Sequence, residues 1–159
     1  MAVMVRVMAT GIFDILHLGH IKYLEEAKNL GDELVVVVAH DETVKRWKHT
    51  PIMPQEVRRK IIESLKCVDK AVNGKDGNMF DVVKQIKPDI IALGYDQRFD
   101  EKEIEKQLKK EGLNVKVIRC SPYTGDDLNG TRRIIRRIAD KIASNELYSG
   151  EKNEKNRSS

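Results

Sequence analysis

Aromatic side chains make up only 5% of this chain, with a single tryptophan, so there is little material for a base-stacking platform and nucleic acid is not expected as a partner. Cysteine is scarce too. Cys67 and Cys120 stand in unrelated contexts, which excludes a disulfide framework and fits reduced, core-type thiols, with a redox role for either left open. The longest apolar run, Leu34 to Ala39, is far too short to cross a bilayer. Met1 to Arg6 lacks the apolar core and cleavage site of a signal peptide. A soluble, cytoplasmic protein without a membrane partner is expected. No GxGxxG follows the first apolar run and no GxxxxGK[ST] occurs anywhere, which disfavours a dinucleotide dehydrogenase and a P-loop enzyme.

What is present suits a globular protein, with 34% charged and 40% hydrophobic residues. A chain of 159 residues can build one real core, and a single domain over 1–144 is expected, followed by a disordered polar tail over 145–159. The net charge of +4 favours polyanionic ligands, nucleotides among them.

Apolar strand candidates at Val3 to Ala9, Leu34 to Ala39, around Ala71-Val72, Asp89 to Leu93 and Val115 to Ile118 alternate with helical stretches. That order predicts an α/β fold, a doubly wound parallel sheet of about five strands with helices on both faces. Ligands of such a sheet lie beyond the carboxyl ends of its strands. Those ends carry Thr10 to Asp14, His40-Asp41, Gly94 to Asp96 and Arg119-Cys120.

The stretch from Met8 to Leu24 is the most informative. It reads as strand, glycine turn and helix start, with Ile21, Leu24, Ala27 and Leu30 at helical spacing and Gly31 closing the helix. His17 and His20 fall where the helix begins. Unpaired N–H groups and partial positive charge collect there, which makes a ready site for phosphate. Gly11 is expected to let the strand end turn tightly, and Gly19 to clear space between the imidazoles so that an anion reaches the backbone. Two other readings compete. A metal site lacks a third ligand at a convincing spacing, and a polar helix cap would leave Gly11 and Phe13-Asp14 unexplained.

The run Gly11-Ile12-Phe13-Asp14-Ile15-Leu16-His17-Leu18-Gly19-His20 resembles the first motif of the cytidylyltransferase-like nucleotidyltransferases, and the similarity continues to about residue 144. Within that superfamily the chain looks most like the archaeal FAD synthases, through Gly31 to Thr43, Lys66 to Val72 and Lys87 to Gln97. The resemblance implies a Rossmann-like nucleotidyltransferase fold and transfer of a nucleotidyl group from a nucleoside triphosphate to a phosphate acceptor, with pyrophosphate leaving. It assigns nucleotide binding to Gly11, Ile12, Phe13, His17, Gly19, His20, Gly94, Asp96 and Thr131, with His17, His20 and Lys45 catalytic. Asp14, Asp41, Lys48, Arg58 and Arg132 are expected to contact phosphate or the acceptor, with no dedicated metal ligand.

Several stretches have a plainer reading as well. Asp41 to Pro54, cationic and punctuated by Pro51 and Pro54, is either a solvated loop or one that closes over a polyphosphate. The helix expected from Gln55 to Leu65 places Val57, Ile61, Ile62 and Leu65 on one face, which leaves Arg58 and Arg59 at the surface by default. Asp96 suits ribose hydroxyls or a turn after glycine. Asp100 to Glu111 is an ordinary amphipathic helix. In the last helix, Asn129 or Thr131 is expected as the cap and Ile134, Ile135, Ile138 and Ile142 as a buried stripe. Relatives carry RTxGISTT there, of which only Gly130 and Thr131 remain, with Arg132 and Arg133 beside them.

The resemblance therefore implies an FMN adenylyltransferase that uses ATP with Mg²⁺ or another divalent cation and forms a homodimer. The alternative inside the superfamily is a cytidylyltransferase acting on glycerol 3-phosphate or another phosphorylated alcohol. Ile12 where threonine is usual, Lys66 where arginine is usual and the reduced RTxGISTT stand against that alternative, although Ile12 departs from the FAD synthases as well. A nucleotide-binding regulator without catalysis is the competing class.

Overall fold

The computed structural model describes residues 3–147. Strands β1 (Arg6–Gly11), β2 (Glu33–Val38), β3 (Lys70–Asn73), β4 (Ile90–Leu93) and β5 (Lys116–Arg119) form one sheet in the order β3-β2-β1-β4-β5, every pairing parallel. The helices are α1 (Leu18–Asn29), α2 (Asp41–Trp47), α3 (Gln55–Glu63), α4 (Met79–Ile86), α5 (Glu101–Lys110) and α6 (Thr131–Ala143).

Side chains alternate across a strand, so each strand supplies two cores. Val7, Ala9, Leu34, Val36 and Val38 pack with Leu24 and Ala27 of α1 and Ile62 of α3 on one face. Met8, Val37, Ile91 and Leu93 pack with Val82 and Val83 of α4 and Ile104 and Leu108 of α5 on the other. The expected doubly wound architecture is the observed one.

Five local expectations change. β1 begins at Arg6 rather than Val3, because Val5 turns its N–H to the Asp32 carboxylate at 2.8 Å and leaves Val3 and Met4 in water. The segment expected as a loop from Asp41 begins with helix α2, which is capped by His40 accepting from the Glu42 N–H at 3.2 Å. In α3, Val57 faces solvent while Arg58 takes the interior beside Ile62. The isoleucines of α6 form no buried stripe, since none of that helix's residues is buried. Its cap is Gly130, without a capping side chain, in place of Asn129 or Thr131.

Of the expected tail, 145–147 fold back on α6, with the Glu146 N–H donating to Lys141 O at 2.9 Å. Residues 148–159 lie outside the described residues.

One register difference opens the sheet. β1 pairs with β2 as far as Gly11↔Val38 but with β4 only as far as Ala9↔Ala92. Beyond Ala9 these two strands part at their carboxyl ends, where the chain reverses direction across the sheet. A crevice in an open parallel sheet opens at such a point.

Candidate active site

The turn from β1 to α1 is shaped by Phe13. Its φ of +53° is a left-handed conformation that a bulky side chain rarely adopts, and its buried ring lies against Gly11. A Cβ on Gly11 would meet that ring at 2.6 Å. Gly11 is therefore needed for the room it leaves Phe13, and Phe13 itself, rather than Gly11, carries the unusual backbone angle. The Phe13 ring in turn meets His20 edge-on at 5.2 Å between centroids.

His17 is the N-cap of α1, and its Nδ1 accepts the His20 backbone N–H at 3.4 Å. That bond fixes the tautomer. With Nδ1 accepting, the proton of a neutral His17 sits on Nε2, free to donate outward. The two imidazoles stack with centroids 3.7 Å apart and planes 25° apart. Burial pushes the His17 pKa below its usual value against the pull of Asp126 and Asp96. His20 is driven down to about 3 by burial, then by His17 and the positive charge of Lys48. Both rings are neutral at physiological pH, so each offers one N–H donor. A Cβ on Gly19 would strike the His17 ring at 2.8 Å and lie 3.2 Å from Asn129 O. The same contact brings the start of α6 against the histidine turn, where Thr131 Oγ1 donates to Ile15 O at 3.4 Å.

Asp14 and Arg58 serve the chain itself. Asp14, 2% exposed, accepts the Ile52 and Met53 N–H groups, one on each oxygen and both at 2.9 Å, with His49 Nε2 3.6 Å away. Arg58, expected on the phosphate side, is 0% exposed. It donates to Met53 O, Ile12 O and Ala39 O at 2.8–2.9 Å and to Asp41 Oδ1 at 2.5 Å. Its guanidinium ties the ends of β1 and β2 to the start of α3. Asp41 also accepts the Gln55 N–H. Burial opposes ionisation of Asp41, yet Arg58 and Gln55 hold its carboxyl below the usual range. Asp14 is thus enclosed, whereas the Asp41 side chain, though engaged by Arg58 and Gln55, is still 33% exposed.

The other expected cations lie on two helices. Lys45 lies on the exposed side of α2, paired with Glu42 at 2.9 Å. Lys48 caps the end of α2, close enough for its charge to act on His20. Arg132 is exposed in the first turn of α6. Asp96 is exposed after Gly94, and its charge reaches His17.

Three residues hold the crevice, of which only Arg119 falls among the strand-end residues the sequence marks. Gln97 spans the parted strands, accepting the Gly94 N–H and donating to Thr10 O, both at 2.9 Å. Tyr23 Oη, driven above its ordinary pKa by burial, donates to Ala92 O at 2.6 Å and meets Thr10 at 3.3 Å. Arg119 donates to Gly94 O and Gln97 O at 3.0 and 2.9 Å and to Phe99 O, fastening the loop that carries Asp96. A polar side chain a few residues past a strand end is the available signal for Gln97. Nothing local marks Tyr23, because its partners are 13 and 69 residues away.

Among the described residues no three His, Cys, Asp or Glu side chains form a metal-holding group. Burial raises both thiols, that of Cys120 to about 11, so neither is a thiolate at neutral pH.

The model of the cytidylyltransferase-like family matches residues 8–156. The chain is 57% identical over 150 residues to the FAD synthase of Aciduliprofundum boonei, covering 94% of this chain and 99% of that one. With the FAD synthase of Archaeoglobus profundus it shares 51% over 141 residues, 89% of this chain and 90% of that one. A crystal structure from Thermoplasma volcanium, described as a lipopolysaccharide core biosynthesis protein, superposes with a TM-score of 0.75 at 55% identity, covering 76% of this chain and 99% of that one.

Proposed function

The chain belongs to the cytidylyltransferase-like family, and from that premise we propose that this nucleotidyltransferase is an FAD synthase, moving AMP from ATP to FMN. The observation that carries the mechanism is the pair of neutral, stacked imidazoles at the start of α1, in a chain so similar to named FAD synthases.

An oxygen of the FMN phosphate attacks the α-phosphorus of ATP. The new P–O bond forms as the α–β bridging bond breaks, and pyrophosphate leaves with the electron pair. A phosphomonoester with a second pKa of about 6 is already ionised, so no general base is required. His17 Nε2–H and the N–H of His20 donate to oxygens whose charge grows in the transition state, and fixed donors of this kind need no reorganisation. Lys48 and Arg132 add positive charge, with Lys45 at a greater remove behind its pair with Glu42. Gly94 and Asp96 lie on the nucleoside side, Asp96 accepting from ribose hydroxyls, and Thr131 holds the second helix start near the phosphates.

Mg²⁺ or another divalent cation bound with ATP would neutralise triphosphate charge. Asp14 is enclosed by its bonds to Ile52 and Met53, whereas Asp41, held by Arg58 and Gln55 and 33% exposed, is the carboxylate that would face the waters of such an ion.

The catalytic unit is the single domain 1–144. Its assembly is a homodimer, supported by the apolar face of α6, on which Ile138 and Ile142 are 42% and 46% exposed. Among the described residues no helix is long and apolar enough to cross a membrane, and the reduced thiols Cys67 and Cys120 suit the cytoplasm.

Pyrophosphate release tests the reading, with ATP or CTP paired with FMN or glycerol 3-phosphate, each against a blank without acceptor. Release confined to ATP with FMN, accompanied by FAD, is expected. Release confined to CTP with glycerol 3-phosphate would overturn the substrates, and nucleotide binding without release from any acceptor would make the chain a regulator.

A further inference from the structure

The strand order leaves the histidine pair with two flanks. On the β4 side lies the loop of Gly94 and Asp96. On the β2 side lie the end of α2 and residues 48–54, which Asp14 holds against the turn. This second flank shows apolar surface to water. Trp47, the only tryptophan of the chain, is 68% exposed at the last position of α2, and Ile52 is 57% exposed.

The exposure of Ile52 is built in. Its own N–H and that of Met53 are fixed to the buried Asp14, Met53 O is fixed by Arg58, and Pro51 and Pro54 stiffen both ends. The loop cannot turn Ile52 inward without breaking those bonds. Lys48 follows Trp47 directly, and its charge acts on His20. Lys48 thus has an exposed indole before it in the chain and an exposed aliphatic side chain, on a fixed backbone, four residues after it. Apolar surface held open near a polar site is covered when a ligand with an apolar part binds.

We propose that Trp47 and Ile52 form the platform on which the planar ring of the acceptor lies while its phosphate reaches Lys48 and the histidine pair. The proposal rests on the FMN reading and adds how that acceptor is selected. A phosphorylated tricyclic ring covers the indole, whereas a small phospho-alcohol leaves it in water. The nucleoside occupies the opposite flank, beside Asp96, so the two planar groups do not compete for one surface.

The test uses the full chain with Trp47→Ala, Trp47→Phe and Ile52→Ala. Trp47 is exposed, so its replacement leaves the core intact. Trp47→Ala is expected to raise KM for FMN about tenfold, with kcat at saturating FMN within about twofold and KM for ATP unchanged. Trp47→Phe is expected to restore most of the affinity, and Ile52→Ala to raise the same KM by a smaller factor. An indole in contact with flavin quenches its emission, so bound FMN should be dark on the wild type and brighter on Trp47→Phe, with bound FMN counted by equilibrium dialysis. An unchanged KM for FMN in Trp47→Ala, a rise in KM for ATP instead, or equal emission of FMN bound to wild type and Trp47→Phe would overturn the platform. Absence of FAD from ATP and FMN would be a failure of the adenylyl-transfer reading, and dialysis with FMN alone would still decide whether Trp47 contacts the ring.

Discussion

The Nδ1 atom of His17 accepts the backbone N–H of His20 at 3.4 Å while the two imidazoles stack 3.7 Å apart. One short turn thereby sets the helix start and the tautomer of the first histidine, while burial keeps both rings neutral.

Removing either donor should therefore slow the chemical step. His17→Ala and His20→Ala are each expected to lower kcat by about 10²- to 10³-fold, the usual cost of one fixed transition-state donor. Circular dichroism should show the fold retained, and wild-type turnover in a folded variant would remove that histidine from the mechanism.

Stability should fall with pH before any carboxylate titrates. The folded-state pKa of His20 is depressed to about 3 and that of His17 is lowered as well, against the 6.5 of an unperturbed histidine. The unfolded chain then binds more protons than the folded one below about 6.5. The contribution is whole above that pH and erodes on acidification toward 3, at up to about 1.4 kcal/mol per pH unit for each fully titrating group. Urea midpoints at pH 7 and pH 5 check this, with His20→Gln expected to show the smaller drop.

Arg58 should behave as a structural residue. Arg58→Ala is expected to destabilise by about 3–5 kcal/mol, since it strands buried carbonyls and Asp41. Arg58→Lys should rescue little, because one ammonium cannot reproduce a planar donor set. Denaturant unfolding gives the answer, and a stable Arg58→Ala with a raised KM for ATP would return Arg58 to the phosphates.

Gly11→Ala should impair catalysis through packing. The added methyl would meet the Phe13 ring at 2.6 Å, and that ring supports His20 edge-on. A several-fold or larger fall in kcat is expected with ATP binding retained, measured by steady-state kinetics beside nucleotide titration.

Charge on the open face of α6 should break self-association. Ile138→Glu combined with Ile142→Glu is expected to turn a dimer into a monomer in sedimentation velocity, whereas a wild type that sediments as a monomer would contradict the dimer.

The short apolar runs and the helical stretches between them made the five-stranded sheet legible, because a parallel sheet covered on both faces needs apolar residues along its strands wherever the rest of the chain lies. The histidine turn was legible for a similar reason: strand, cap and helix start are local, within one short stretch of chain. Arg58 was not legible. It stands beside Arg59 in a charged helix, and only the convergence of Ile12, Ala39 and Met53 around it makes a buried guanidinium tolerable. The isoleucine stripe of α6 has the spacing of a buried face, yet periodicity shows that a face is apolar and not what covers it. Gln97 and Tyr23 take their meaning from strand residues that lie 87 and 69 positions away in the chain. The amino-acid order by itself thus determined the sheet, the helix starts and the paired imidazoles, all products of short-range patterning. Tertiary structure alone decided which charges are engaged internally, which carboxylates are free and which apolar side chains face the ligand, because each depends on groups brought together only when distant segments pack.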